Sequence, residues 1–462
     1  MLQKSKTKSY EMDMCTGSIL KKMLLFSLPL MASSVLQLLF NAADIIVVGR
    51  FSGDNALAAV GSNTALINLL TNFFMGLSIG ANVLVARYYG AKQDKDLVET
   101  IHTSMLLSIY SGIILTVVGI LCAKQILIWM KTPEAVLDLA AVYLRIYFLG
   151  MTATMIYNFG SAILRAVGDT RRPLYYLVVA GVVNVVLNLV FVIIFRLSVM
   201  GVAIATVISQ CISAVLILRC LMHETGSIKL DLRKLSINKS KFLKIAQIGL
   251  PASLQGVIFS LSNVVIQSSV NLFGEITVAG NSAAANIEGF VYVSMNSLYQ
   301  ATISFTSQNV GAGKYERINK ILYTAQICVI VVGLLLGNSA LFFGRQLLSV
   351  YSGSSEVIDA GMKRLNIIAR TYALCGMMDV MVGALRGLGY SVMPMIVSLI
   401  GACGLRLLWI FTFFRMERFH NVTSLYLTYT WSWIITLSAH VICWLIVRRK
   451  LGRQWSSKNV SV

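Results

Sequence analysis

Charge is what this sequence has least of. Only 13% of its 462 residues are Asp, Glu, Lys or Arg, and the acidic ones number 19 against 39 basic. A soluble domain carries about 25% charged residues. With 57% hydrophobic residues and a mean hydropathy of +0.75, this chain is excluded from that class. Cysteine pairing motifs are missing too. The eight cysteines (Cys15, Cys122, Cys211, Cys220, Cys328, Cys375, Cys403 and Cys443) form no CxxC and have no His at ligand spacing. That excludes a zinc motif or a disulfide framework, and they read as small apolar residues in helices. No small-residue cleavage site follows the basic N-terminus, because Ser18 to Val48 runs on into a long span, so no removable signal peptide is expected. No nucleophile, base and orienting group fall on adjacent turns and no metal motif is present, so no enzyme activity is expected. Asn421-Val422-Thr423 matches a glycosylation sequon, a pattern common by chance.

What is present is long uncharged sequence. Ile109 to Cys122, Leu174 to Phe195, Val199 to Leu218, Ile327 to Phe343 and Leu425 to Val447 are nearly free of charge. Most of them approach the roughly 20 residues that cross a bilayer. Twelve spans are predicted, starting near Lys22, Ala56, Val98, Glu134, Leu174, Val199, Phe242, Val278, Ile318, Val357, Val392 and Thr423. The fold class that follows is an all-α polytopic membrane protein.

The excess of cations raises the question of nucleic acid, but its distribution answers otherwise. The N-terminus, C-tail and the alternate loops that share their side hold 27 of the 39 Lys and Arg. The opposite loops hold seven (Arg50, Lys124, Lys131, Arg196, Arg345, Arg415 and Arg418), and five lie in or at the edges of spans (Arg145, Lys363, Arg364, Arg370 and Arg406). This asymmetry puts both termini in the cytoplasm, and no nucleic-acid partner is expected. The longest polar interval, His223 to Lys244, separates the sixth and seventh spans. The predicted organisation is a cytoplasmic segment 1–21, a first lobe 22–222, a cytoplasmic linker 223–241, a second lobe 242–447 and a cytoplasmic tail 448–462.

The two lobes are related in sequence. Leu164-Arg165-Ala166-Val167-Gly168-Asp169-Thr170 leads to Pro173, and Leu385-Arg386-Gly387-Leu388-Gly389-Tyr390-Ser391 leads to Pro394. Leu28-Pro29 with Asn41 recurs as Leu250-Pro251 with Asn263, and Tyr89-Gly90-Ala91 recurs as Val310-Gly311-Ala312. Six spans per half start both halves on one side, which makes a parallel repeat about an axis along the membrane normal. Pro29 and Pro251 fix local backbone geometry early in the first and seventh spans.

An ionisable side chain in hydrocarbon costs roughly 2.5–3.5 kcal/mol on insertion scales, so each one asks for a reason. In the first half Asp44 is the single carboxylate well inside a span. Asn184 and Asn188 lie four apart on one face of the fifth span, and Thr206 is in the sixth. A carboxylate, two amides and a hydroxyl are hard oxygen ligands, suited to Na⁺ or to a proton on Asp44; interhelical hydrogen bonding is the structural alternative for Asn and Thr. In the second half the candidates are Glu288, Asp379, Arg370 and Arg406, with Arg406 expected to pair with Asp379 or Glu288. His102 and His440 are isolated and receive no role. The many Tyr, Phe and Met would suit a cavity for flat apolar cations.

Leu28-Pro29, Asn41-Ala42-Ala43-Asp44 through Gly49, Tyr89-Gly90-Ala91, Gln308-Asn309-Val310-Gly311-Ala312 and the two Leu-Arg-x-x-Gly turns together resemble the MATE (multidrug and toxic compound extrusion) family of the MOP flippase superfamily. The resemblance covers about residues 15 to 450. It implies two six-helix lobes arranged as a V around a central cavity. It also implies secondary active export of organic cations or other xenobiotics in exchange for H⁺ or Na⁺, with no further cofactor. Asp44 matches the family's first-helix coupling aspartate, and Asn184, Asn188 and Thr206 fall at its other cation ligands. Asn188 replaces an acidic residue found in some relatives, which leaves H⁺ open beside Na⁺. Phe259 stands where one branch has a seventh-helix glutamate, and Asp379 sits in a different register from that branch's tenth-helix aspartate. The implied setting is the cell (inner) membrane, crossed many times. The implied partners are the lipid bilayer and a small amphipathic, cationic molecule, with no obligate protein partner. A lipid-linked oligosaccharide flippase and a passive channel are the alternatives.

Overall fold

A computed structural model describes residues 10–130 and 132–459, with side chains at all but positions 54, 62, 64, 65, 68 and 453–459. Residues 1–9 and 460–462 of the predicted terminal segments, and Lys131, lie outside the described residues. Among the described residues there is no strand. The helices are α1 (Ile19–Phe51), α2 (Asp54–Gly90), α3 (Asp94–Trp129), α4 (Glu134–Leu149), α5 (Met151–Ala166), α6 (Arg171–Leu189) and α7 (Ser198–His223). They continue as α8 (Lys239–Val270), α9 (Glu275–Gly311), α10 (Glu316–Phe342), α11 (Gly344–Ser349), α12 (Ser355–Gly387), α13 (Val392–Ser398), α14 (Leu405–Phe411) and α15 (Val422–Asn459). Backbone packing divides the chain into two compact units, Met1–Ala246 and Gln247–Val462.

Ten of the described helical spans are long and apolar enough to cross a membrane on their own, and α4 with α5, bent by 46°, makes an eleventh. The twelfth span is α9. Its 37 residues are about 55 Å of helix at 1.5 Å per residue, but it carries too many polar groups to register as apolar. Those groups face inward: Asn281, Glu288, Ser294, Ser297, Thr302, Ser304 and Gln308 are all buried. Lipid takes the opposite kind of residue, and Leu121, Trp129, Leu335 and Phe342 are among the large apolar side chains left on the outside.

The repeated turns have a common physical cause. Gly168 and Gly389 both hold φ at +97°, left-handed backbone that side chains rarely adopt. In the first, the Asp169 amide reaches back to Leu164 O (2.9 Å) and Gly168 N–H to Arg165 O (3.0 Å). In the second, Tyr390 N–H reaches Leu385 O (2.9 Å) and Gly389 N–H reaches Arg386 O (2.8 Å). Each is the 6→1 and 5→2 closure of a Schellman turn, so Leu-Arg-x-x-Gly recurs because glycine ends both helices the same way. Packed against the first turn is the segment before α1: Met12 N–H donates to Val167 O (3.3 Å) and Tyr89 donates to Glu11 Oε2 (2.7 Å).

The interval after α7 is folded onto α3. Leu230 N–H donates to Leu221 O (2.9 Å), Asp231 N–H to His102 Nε2 (3.3 Å) and Asn238 N–H to Thr103 Oγ1 (3.1 Å). Asn238 Nδ2 donates to Glu99 (2.8 Å), and Lys241, buried, pairs with Asp96 over the Tyr88 ring. His102 therefore has a structural part. Its Nε2 accepts from the linker and its Nδ1, 2.8 Å from Val98 O, donates within α3.

Close helix approach in the second unit depends on small residues. A Cβ at Gly280 of α9 would stand 2.6 Å from both Gly361 N and Val357 O of α12, backbone atoms that cannot rotate away. Gly280→Val is expected to cost about 1–3 kcal/mol by forcing the helices apart. Thermal unfolding of the purified protein checks it, and an unchanged melting temperature would show that α9 and α12 are free to separate.

Candidate functional site

In the first unit, α1, α6 and α7 meet where the sequence places its polar cluster. A side chain at Gly181 would overlap the Phe40 ring, so this glycine lets α1 lie directly on α6. Phe40 is one turn from Asp44, and Gly181 is three and seven residues from Asn184 and Asn188, on the same face. That packing therefore sets the register that brings Asp44 to the asparagines. Asn188 Nδ2 donates to Asp44 Oδ1 and, at 3.3 Å, to Asn184 Oδ1. Asn184 Nδ2 donates to Thr206 Oγ1 (3.4 Å), whose hydroxyl donates to Val202 O (2.9 Å). All four predicted residues are thus in one chain of hydrogen bonds. Its buried Asn188 Oδ1 has no partner among the described residues.

Two tyrosines join the surroundings that sequence reasoning missed. Tyr143 and Tyr147 of α4 stack at 6.0 Å between centroids and lie within the electrostatic reach of Asp44. Their spacing of four residues on one helix face was the available signal, and in an aromatic-rich chain it is weak.

The second unit distributes its charges differently from expectation. Glu288 of α9 pairs with Arg364 of α12, not with Arg406. Arg364 Nε donates to Oε1 (3.0 Å) and Nη2 to Oε2 (2.7 Å), a two-pronged match in which both residues are buried. Arg364 Nη1 also donates to Asn281 Oδ1 (2.7 Å), which accepts from the Tyr426 hydroxyl (3.2 Å) as well. Arg406 follows a π-helical turn, Leu399–Gly404, and faces α15 instead. Its Nε donates to Ser432 Oγ (2.8 Å), and its guanidinium lies over the rings of Tyr429 (4.1 Å) and Trp433 (5.6 Å). Ring faces took the place of the expected carboxylate. Among the described residues Asp379 makes no ion pair or hydrogen bond, and Arg370 is exposed. Arg386, of the second Leu-Arg-x-x-Gly turn, is 4% exposed at the end of α12, with Nη2 2.8 Å from Gln255 Oε1 and Nη1 donating to the Tyr299 hydroxyl.

The family model MatE matches this chain twice, over residues 29–190 and again over 251–412, once in each unit. The chain belongs to the MatE family. Membership makes it a multi-pass membrane transporter and accounts for the sequence repeat. It is 29% identical to the "Probable multidrug resistance protein YoeA" of Bacillus subtilis over 84% of this chain and 85% of that protein. It is 28% identical to the "Probable multidrug resistance protein YpnP" of the same organism, over 85% and 88%. Among solved structures, an outward-facing multidrug resistance MATE family transporter of the MOP superfamily shares the fold, with a TM-score of 0.88 at 21% identity, over 95% of this chain and 98% of that one. Members of this fold have two lobes of six helices, in agreement with the two units and twelve spans.

A buried ion pair loses most when only one partner is removed, because the other is left as an uncompensated charge. Glu288→Gln or Arg364→Met alone is expected to lower stability by roughly 3–5 kcal/mol, and the double change E288L/R364M to recover most of it. Thermal unfolding of the three variants checks this, and additive losses would show that the two side chains act independently.

Proposed function

We propose that this MatE transporter is a secondary active multidrug antiporter of the cell membrane, with both termini in the cytoplasm and a coupling site for H⁺ or Na⁺ at Asp44, Asn184, Asn188 and Thr206. The observation that carries this reading is the Asp44–Asn188 contact. A carboxylate inside a span accepts from one amide N–H, while the oxygen of that same amide is buried with no hydrogen-bond partner among the described residues. The relatives named for multidrug resistance support the substrate side of the reading.

The cluster has the chemistry of a switch. Ionised Asp44 needs a donor, which Asn188 Nδ2 provides. Protonated Asp44 becomes a donor and needs an acceptor, which Asn188 Oδ1 provides once the amide turns over. Na⁺ would draw on the same turn, exchanging an N–H for an oxygen beside Asp44, Asn184 Oδ1 and Thr206 Oγ1. Either ion neutralises the one charge and reverses the polarity of the α1–α6 contact. That gives the inward and outward states different energies, as alternating access requires. One charge moving down 100 mV supplies about 2.3 kcal/mol, enough for roughly a fifty-fold substrate gradient per ion. The substrate in this reading is a small amphipathic molecule, and the partner is the lipid bilayer.

Everted vesicles supplied with an external cationic dye test the proposal. Accumulation against the gradient should fall at least tenfold in Asp44→Asn, and should collapse in the wild type when either the proton or the sodium gradient is dissipated. The gradient that matters names the ion. An Asp44→Asn protein that still accumulates dye would overturn the coupling role.

A further inference from the structure

The second unit buries more positive charge than it neutralises. Among the described residues three arginines of this unit are buried, and of these only Arg364 has a carboxylate within ion-pair distance. Arg406 is covered by ring faces. Arg386 has neither arrangement in full: its hydrogen-bond acceptors are two neutral oxygens, Tyr299 Oη and Gln255 Oε1, and its Nε–H is buried with no partner among the described residues. The Tyr299 ring lies 5.9 Å away, at the edge of cation–π range. The C-terminal end of α12 offsets only a fraction of a full charge.

Seven residues back on α12 is Asp379, which makes no hydrogen bond or ion pair among the described residues. Seven residues are nearly two whole turns, so both side chains share one face about 10.5 Å apart along the axis. They interact electrostatically without touching, and the field of Asp379 also reaches Tyr292 and Tyr299. Helical side chains lean toward the helix N-terminus, so the Arg386 guanidinium points back along this face toward Asp379. The face is partly open, since Asp379 is half-buried and Tyr292 is 38% exposed.

We propose that Arg386 is an anion-recognition residue, forming with Gln255 and Tyr299 a subsite that takes a carboxylate or phosphate group on the molecule being carried. This rests on the reading of the chain as a transporter of small amphipathic molecules and adds a chemical class to it. An anionic oxygen would replace a neutral acceptor and use the idle Nε–H. No donor is stranded by the exchange, and a neutral hydrogen bond becomes a charge-assisted, two-pronged one. Asp379, of opposite sign further along the face, repels a second anion and orients the rest of the molecule.

Two matched probe pairs test the proposal by equilibrium binding to purified protein: rhodamine B against its ethyl ester, and riboflavin phosphate against riboflavin. Arg386→Gln should weaken the anionic member of at least one pair tenfold or more and leave its uncharged-oxygen counterpart within twofold; the responding pair identifies carboxylate or phosphate. Gln255→Glu is the second variant. It gives Arg386 an internal carboxylate without adding bulk, so it should keep the fold and produce the same selective loss. Equal weakening of both members, or no change in either pair, would overturn the proposal. Binding needs no ion gradient, so Asp44→Asn should retain the selectivity. Failure of coupling at Asp44 and failure of the anion subsite are therefore read separately.

Discussion

A carboxylate within an apolar span needs a donor, and Asp44 finds one 144 residues along the chain, in Asn188. The contact fixes more than one side chain. It requires α1 to lie on α6 at the register that Phe40 and Gly181 set, and it aligns Asn184 with Thr206 on α7. Three helices are thereby tied through groups whose bonding changes when a single charge is cancelled. Polar contacts between membrane helices are individually modest, of order 1 kcal/mol. The weight of this one comes from the charge, since losing the donor would leave an ionised group unsolvated.

The second unit meets the same constraint by other means. Arg364 and Glu288 cancel each other in a two-pronged pair, and Asn281 and Tyr426 extend it to α15. Such a pair is expensive to break and insensitive to small changes, as suits a brace between helices. Arg406 is held by ring faces, and Arg386 by neutral oxygens. The sequence repeat therefore preserved backbone turns while the interior charges diverged. The Schellman turns at Gly168 and Gly389 are alike, but one unit sets a carboxylate against an asparagine amide and the other buries an excess of guanidinium.

The polar stretch that ends the first unit also took on structure that its composition concealed. Its polarity suggested a connector, yet it is fastened to α3 through His102, Thr103, Glu99 and Asp96. These are side chains of a spanning helix turned toward a loop, and each looks ordinary in sequence because its partner lies more than a hundred residues away.

Much of the architecture was legible because hydropathy is local: a bilayer demands long apolar stretches, and eleven of the twelve spans show them in composition, all but the polar α9. The repeat was legible for a similar reason, since a left-handed turn at a helix end selects glycine wherever it occurs. Asp44, Asn184, Asn188 and Thr206 stood out because polar groups in apolar spans are few, and two of them share a helix face. The partner of each charge was decided by tertiary structure. Sequence alone pointed to Arg406 as the partner of Glu288 or Asp379, whereas Glu288 pairs with Arg364. Which one pairs depends on a π-helical turn before Arg406, on close packing at Gly280 and on ring positions in α15. Electrostatic pairing acts over a few ångströms in space, and that distance exists only once the helices have packed.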